Sequence, residues 1–157
     1  MVLKRMGRRH TREDILNIIQ AIRKVRPNAV FGSDFITGFP TETEKQFTET
    51  MDLVRQANIT HLHVFPYSER EGTPAVKMPQ VPVVIRKKRA AELRKLGDQL
   101  HLNLLNKMVG QSVRVLIEEN GMGWTENYLR VILEKHYPIG EIVSIKIKGV
   151  KDNALVG

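Results

Sequence analysis

The run Ser33-Asp34-Phe35-Ile36-Thr37-Gly38-Phe39-Pro40-Thr41-Glu42-Thr43-Glu44 decides how this chain folds. A short apolar segment ends there at a Gly/Pro turn, and the polar residues that follow suit the start of a helix. A second apolar segment follows at His61-Leu62-His63-Val64-Phe65-Pro66-Tyr67-Ser68 and leads into the loop Arg70-Glu71-Gly72-Thr73-Pro74-Ala75. Strand, turn, helix, strand and loop in this order predict the repeating unit of a parallel α/β barrel, with polar residues at the strand ends.

Three helices are predicted from capping residues and apolar periodicity. Thr11, with Asp14 three residues later, begins a helix that ends near Arg26-Pro27. Thr43 and Gln46 form a capping box for the second helix, whose buried stripe is Phe47, Met51 and Val54. The third helix covers residues 84–108 with Leu93, Leu96, Leu100 and Leu104 on one side, and Gly97 weakens it and predicts a bend.

Polar residues in and after the two strands allow more than one interpretation. Residues 29–39 suit a strand buried on both faces, so Asp34 needs a partner: either backbone amides at the strand end or a functional group. Glu42 and Glu44 complement the dipole of the helix that follows, although barrels also place ligand contacts in such turns. His61 and His63 share one strand face, but no third ligand cluster is visible, so no metal site is predicted.

From residue 111 the pattern changes to short alternating strands joined by glycine-containing turns. These strands cover residues 112–118, 124–133, 141–148 and 154–156, with a turn at Asn120-Gly121-Met122-Gly123. Several short strands of this kind predict a small β-barrel. We therefore expect two domains, residues 1–109 and 110–157.

The amino-acid composition indicates a globular protein without a membrane span, and its positive charge indicates a negatively charged partner. The chain is 41% hydrophobic and 27% charged, and it has no apolar stretch of about 18 residues and no secretory signal, so we expect a cytoplasmic protein without a membrane span. The net charge of +8 is concentrated in residues 1–28 and 85–109. A field of this sign favours a polyanion such as RNA, although basic helices are also common as solvated surfaces.

The chain from Leu3 to Gly157 resembles the C-terminal part of the tRNA methylthiotransferases, which are radical S-adenosylmethionine (SAM) enzymes. The resemblance rests on the Gly38-Phe39-Pro40-Thr41-Glu42 run, the His61 to Ser68 segment and the Arg70 to Ala75 loop, and it points to the subgroup acting on N6-threonylcarbamoyladenosine. Gly123-Trp124-Thr125-Glu126-Asn127-Tyr128 is similar to the central turn and strand of the TRAM module. The implied fold is α/β: the C-terminal half of a radical SAM barrel, which is a partial TIM-like barrel, followed by a small all-β TRAM barrel.

The resemblance implies SAM and two 4Fe-4S clusters in the intact family. The chain contains no cysteine, and clusters are held by cysteine thiolates, so we expect neither cofactor to bind stably to this chain alone. Catalytic residues stay unassigned. The resemblance places these residues on the SAM side of the barrel: Gly38, Phe39, Pro40, Val64, Phe65, Tyr67, Ser68 and Arg70.

A tRNA partner is expected from the same resemblance and from the basic charge. Trp124 and Tyr128 could stack on bases, although Trp124 could instead fill the core of a small barrel. The candidate RNA contacts are Arg86, Lys87, Lys88, Arg89, Arg114, Trp124, Tyr128, Arg130, Lys146 and Lys148.

Three hypotheses about the role of the chain follow. The first is the C-terminal portion of a tRNA N6-threonylcarbamoyladenosine methylthiotransferase, inactive without a missing N-terminal cluster-binding part that a separately encoded chain could supply. The second is a non-catalytic RNA-binding remnant of a split or truncated gene, and the third is a decayed product.

Overall fold

The computed structural model describes residues 2–119 and 121–157, which form two compact units divided between Leu100 and His101. The first unit contains α1 (Val2–Arg5), α2 (Arg12–Val25), β1 (Gly32–Thr37), α3 (Glu44–Ala57), β2 (His61–Pro66), a 3-10 helix (Pro74–Lys77) and most of α4 (Val83–Met108). The division between the units falls within α4, earlier than the predicted 109/110 boundary, because Leu104, Leu105 and Met108 pack in the second core.

Strands β1 and β2 form a two-stranded parallel sheet, as the predicted barrel unit requires. The register runs from Gly32 opposite His61 to Thr37 opposite Pro66. The connection between the strands is α3, so the strand–helix–strand order predicted from the sequence is confirmed.

The N-cap predicted at Thr11 and the capping box predicted at Thr43 are confirmed, and Thr11 also forms a capping box. The Thr11 hydroxyl accepts a hydrogen bond from the Asp14 backbone N–H at 3.2 Å, and the Asp14 carboxylate accepts from the Thr11 N–H at 2.7 Å. Thr43 and Gln46 exchange the same pair of bonds at the start of α3. Satisfying two otherwise unpaired N–H groups at each helix start explains why α2 and α3 begin where the sequence predicts.

The core of the first unit lies between the helices and one face of the sheet. Phe47 and Val54 of α3, Leu93 of α4 and Val64 of β2 are buried in it, and Ile19 of α2 joins them. The helix α4 continues through Gly97, where the sequence predicts a bend, and a Cβ there would lie 3.2 Å from the Leu62 side chain. Glycine thus allows α4 to pack closely against β2.

The prediction that the first strand is buried on both faces is wrong. Ile36 and Phe65, which lie opposite each other, are 44% and 54% exposed, and Asp34 and His63 beside them are also exposed. Asp34 is the third residue of β1, away from the strand end, and it has no burial cost to offset. The reason is that the helices cover only one face of this two-stranded sheet.

The second unit is a six-stranded sheet with strand order β6-β3-β4-β5-β8-β7. The strands are β3 (Ser112–Ile117), β4 (Met122–Thr125), β5 (Arg130–Ile132), β6 (Ile142–Lys146), β7 (Gly149–Lys151) and β8 (Ala154–Val156). All neighbours are antiparallel except β5 and β8. This architecture agrees with the predicted small β-barrel, although the segment 124–133 predicted as one strand is two strands joined by a turn.

That turn is held by one threonine side chain. The Thr125 hydroxyl accepts hydrogen bonds from the backbone N–H groups of Asn127 and Leu129 at 3.3 and 3.1 Å. The other predicted turn covers residues 120–123, of which Asn120 lies outside the described residues.

The core of the second unit lies on one face of the sheet, because successive side chains of a strand point to opposite faces. It consists of Leu105, Val115, Ile117, Leu129, Val131, Ile145, Ile147 and Leu155.

Among the described residues, α4 is the longest helix, and neither it nor any other is apolar enough over its length to cross a membrane.

We expect limited proteolysis of the whole chain to cut the first unit before the second. A two-stranded sheet with one uncovered apolar face is marginally stable, whereas the second unit has a continuous core. Mass spectrometry should identify a resistant fragment close to residues 101–157. Leu129→Ala should abolish that resistance, since truncating this buried side chain costs about 2–5 kcal/mol. Equal protection of both units would contradict the expectation.

Candidate functional site

Two buried arginines, one turn apart on α4, lie at the carboxyl ends of β1 and β2. Arg86 is 4% exposed and Arg89 is 6% exposed. The sequence placed both on an exposed basic surface for RNA, and the structure corrects this placement, because their guanidinium groups are already bonded inside the first unit. The crowding of Lys and Arg at the start of α4 concealed the fact that Arg86 and Arg89 lie on the inner side of the helix.

Arg86 of α4 bonds to the loop after β2 and to the segment just before α4. Its Nε donates to the Val81 carbonyl at 2.6 Å, and its Nη1 donates to the Tyr67 carbonyl at 3.2 Å. Its Nη2 donates at 3.0 Å to both Glu69 and Gln80. The guanidinium also lies 5.1 Å from the centre of the Tyr67 ring, a cation–π distance. A rigid planar cation with four acceptors fixes the loop after β2.

Arg89 forms a buried ion pair with Glu42. Arg89 Nη1 donates to Glu42 Oε2 at 2.8 Å and to the Glu42 carbonyl at 3.1 Å, and its Nη2 donates to the exposed Glu44 at 2.9 Å. Glu42 Oε2 also accepts from the Gly38 backbone N–H at 2.8 Å. Burial raises the pKa of the Glu42 carboxyl, while the Gly38 N–H and the Arg89 charge act in the opposite direction.

Gly38 permits this close approach of the β1 turn to α4. Its φ of +67° lies in the left-handed region, and a Cβ on it would come within 2.5 to 3.0 Å of the Arg86 side chain and Cα. Thr37, the preceding residue, donates its hydroxyl to the Arg86 carbonyl at 3.2 Å. The turn after β1 is thus held directly against the helix backbone.

The predicted SAM-side residues do not share one surface. Val64 is buried on the helix-covered face of the sheet, whereas its neighbour Phe65 lies on the exposed face, because successive strand residues alternate. Their side chains cannot line one pocket together. Gly38, Phe39 and Pro40 are buried in the turn, and Ser68 and Arg70 are exposed in the loop.

Tyr67 lies between the turn and the loop. Its ring packs edge-on against Phe39, with centroids 5.4 Å apart, and its backbone N–H donates to the Thr37 carbonyl at 2.8 Å. Its hydroxyl is buried and has no hydrogen-bond partner among residues 2–119 and 121–157. The site can therefore hold the strand ends rigidly, but most of its polar groups are bonded to one another.

Of the four α4 cations predicted to contact RNA, Lys87 and Lys88 are exposed, and Lys88 lies 3.8 Å from Glu92. Arg94 and Lys95, further along the helix, are also exposed. Arg94 also donates to the Val64 carbonyl at 2.6 Å. A basic surface remains on this helix, carried by residues other than the two buried arginines.

On the second unit, Trp124 lies on the outer face of the sheet, outside the hydrophobic core. It pairs with Leu116 on one side and Arg130 on the other, and it is half-buried. Its Nε1 donates to Glu118 Oε2 at 2.8 Å. The alternative that Trp124 fills the barrel core is therefore wrong, because its position in the strand points it away from Val115 and Ile117.

The other predicted RNA contacts of the second unit are all exposed. Tyr128 is 77% exposed in the β4–β5 turn, where its φ is +55°. Arg114 is paired with Glu126 at 2.9 Å, and Lys148 is paired with Glu134. Arg130 and Lys146 extend from β5 and β6.

No group of three or more carboxylates or imidazoles that could hold a metal ion occurs in the part of the chain that the structure describes. His61 Nδ1 lies 3.0 Å from the Thr60 hydroxyl, within hydrogen-bond distance. With no cysteine in the sequence, the residues present do not fit an iron–sulfur cluster.

Two family models match separate parts of the chain. The radical SAM superfamily model matches residues 1–54, and the TRAM domain model matches residues 106–157. The first match ends within α3, and the second begins in the last turn of α4 and covers the six-stranded sheet.

Curated relatives match nearly the whole chain. It is 47% identical over 97% of its length to the threonylcarbamoyladenosine tRNA methylthiotransferase MtaB of Rickettsia prowazekii, and it covers 36% of that protein. It is 36% identical to a probable threonylcarbamoyladenosine tRNA methylthiotransferase of Methanocaldococcus jannaschii, with 99% and 36% of the two chains covered. It is 38% identical to a tRNA-2-methylthio-N(6)-dimethylallyladenosine synthase of Bacillus mycoides, with 99% and 32% covered. The chain thus spans about a third of the length of these relatives.

We expect Gly38→Ala to lower the free energy of unfolding of the first unit by about 2–4 kcal/mol, from left-handed strain and the clash with Arg86. The matched control is Gly72→Ala, where φ is +80° and nothing lies within 4 Å, so only about 1 kcal/mol of strain applies. Urea unfolding followed by circular dichroism at 222 nm measures both variants. Equal destabilisation of the two would show that the close approach to Arg86 does not matter.

We expect Glu42→Gln to change how stability depends on pH. A carboxyl whose folded pKa is raised contributes stability below its unfolded pKa of about 4.3, and this contribution is lost as pH rises through the folded pKa. The wild type should therefore lose stability relative to Glu42→Gln as pH rises from about 4 toward neutral. Glu44→Gln controls for the removal of one charged partner of Arg89, and a wild-type advantage that grows with pH would refute the expectation.

Proposed function

Because this chain joins a radical SAM superfamily segment to a TRAM domain and is homologous over nearly its whole length to tRNA methylthiotransferases, we propose that it acts in forming 2-methylthio-N6-threonylcarbamoyladenosine next to the tRNA anticodon. The observation that carries the proposal is the 47% identity over 97% of the chain to a protein of that name. Identity to a synthase acting on dimethylallyladenosine is lower, at 38%.

Iron–sulfur ligands must come from outside these 157 residues, since no cysteine is present. When bound in the intact family, SAM and its cluster supply a radical that removes hydrogen from the base. The chain's own contribution is the exposed face of β1 and β2, where Ile36 and Phe65 offer an apolar surface beside Asp34 and His63. The bonded arginines behind this sheet hold the turn after β1 and the loop after β2 in place.

The proposed catalytic partner is a polypeptide that supplies further parallel strands and the cluster ligands. Two features of the first unit support it. Strand β1 has a neighbour on one edge only among the described residues, and the α2 side chains Ile18, Ile22 and Val25 are 60%, 40% and 83% exposed. Unpaired backbone at a strand edge and an uncovered apolar helix face are both satisfied by an added strand–helix unit. Alone, the chain would bind tRNA in the cytoplasm without catalysing the reaction.

Binding of tRNA is proposed to use the exposed cations of α4 together with the TRAM domain. Lys87 and Lys88 are exposed side by side at the start of the helix. Each phosphate contact releases counterions, so removing one changes the salt dependence of binding in a predictable way.

Replacing Lys87 and Lys88 together with glutamine should weaken tRNA binding and reduce the slope of log affinity against log salt by roughly one for each phosphate that is no longer neutralised. The matched control is Lys45→Gln with Lys77→Gln. It removes the same charge from exposed positions within residues 29–84, where seven Asp and Glu outnumber four Lys and Arg. A filter-binding salt series on the intact chain measures both doubles. Equal slopes for the two, or no tRNA binding by the wild type, would contradict the proposal.

A further inference from the structure

The single tryptophan of the chain lies in an open groove on the outer face of the second unit. Strands β3, β4 and β5 form its floor, with Leu116, Trp124 and Arg130 in register across them. The groove combines apolar, aromatic, acidic and basic side chains, and it is lined by Leu116, Glu118, Glu119, Met122, Trp124, Arg130 and Ile139.

The indole is held in one orientation. Its only polar group, Nε1–H, donates to Glu118 Oε2 at 2.8 Å, and its backbone is fixed between two antiparallel neighbours. The bond satisfies the sole donor of the side chain. What Trp124 can still offer a ligand is therefore its aromatic face, which suits a flat apolar ring.

Glu118 has accepting capacity left over. A carboxylate has two oxygens with about four lone-pair sites, and the indole occupies one of them. An ionised carboxylate cannot donate, so a ligand edge that meets Glu118 must present an N–H or O–H group.

Arg130 is the cation that the groove leaves available. Among residues 2–119 and 121–157 the structure pairs Arg114 with Glu126 and Lys148 with Glu134, but it gives Arg130 no acidic partner. An unpaired guanidinium beside an aromatic face and an acceptor matches a ligand with a flat ring and an attached anion.

We propose that this groove binds one unpaired nucleobase of RNA that carries an exocyclic amino group, stacked on Trp124. Glu118 accepts the amino N–H, and Arg130 contacts the adjoining phosphate. Adenine, cytosine and guanine have such an amine. Uracil has none, and its single donor on this edge, N3–H, lies between two carbonyl oxygens that repel the carboxylate. The proposal rests on the proposed function, because it names the part of an RNA partner that the TRAM domain recognises.

The fluorescence of Trp124 reports this site directly, since the chain has no other tryptophan. Hexamers of adenylate, cytidylate and uridylate are titrated into the intact chain at fixed salt. The adenylate and cytidylate hexamers should quench the emission, and the uridylate hexamer should bind about tenfold more weakly. Equal affinity for adenylate and uridylate hexamers, or binding without quenching, would overturn the proposal.

Variants separate the three roles. Glu118→Gln replaces the acceptor with an amide that can also donate, so the preference should move toward uridylate. Arg130→Gln should weaken all three hexamers alike and lower the salt slope by about one. Lys151→Gln, an exposed change on β7 outside the groove, is the control for charge alone. An unchanged base preference in Glu118→Gln would refute the role of Glu118.

The same samples distinguish failure of this inference from failure of the proposed function. If tRNA binds in the filter assay but no hexamer quenches Trp124, the groove is not the base site, and the proposed function stands. If neither tRNA nor any hexamer binds, both the inference and the RNA-binding part of the proposed function fail.

Discussion

The first unit depends on one buried carboxylate. Glu42 Oε2 accepts from the Gly38 backbone N–H and from Arg89 Nη1, both at 2.8 Å, and so ties the turn after β1 to α4. The geometry also requires a glycine at position 38, because any Cβ there would meet Arg86. Charge, backbone conformation and packing therefore constrain the same few residues.

This arrangement fixes where the open surface of the sheet lies. The buried arginines and the apolar core occupy the side of β1 and β2 that the helices cover, which leaves Ile36 and Phe65 exposed on the other side. In a parallel α/β barrel the helices cover the outer face of the sheet, the other strands enclose its inner face, and ligand contacts collect at the carboxyl ends of the strands. The exposed face is thus the one that the proposed catalytic partner would enclose, and the buried network keeps the strand ends in position.

The sequence predicts well those features that depend on residues close together in the chain. Thr11 and Thr43 start helices through bonds to residues three positions later, so their capping boxes can be read from spacing alone. What it predicts poorly depends on distant partners. Arg86 and Arg89 look like surface cations until Glu69 and Glu42, far along the chain, are placed beside them. The placement of Trp124 also depends on other strands, because its pairing with Leu116 and Arg130 shows that it lies outside the core.

The two units divide the charge of the chain in a way that suits different tasks. The first unit buries two of its arginines inside the fold, so its net positive charge is not a measure of its surface for RNA. The second unit has acids and bases in equal number from residue 110 onward, and there an unpaired Arg130 beside a fixed indole outweighs total charge. Phosphate contacts position an RNA, whereas contacts to a base select it. The exposed lysines of α4 suit the first task, and the groove around Trp124 suits the second.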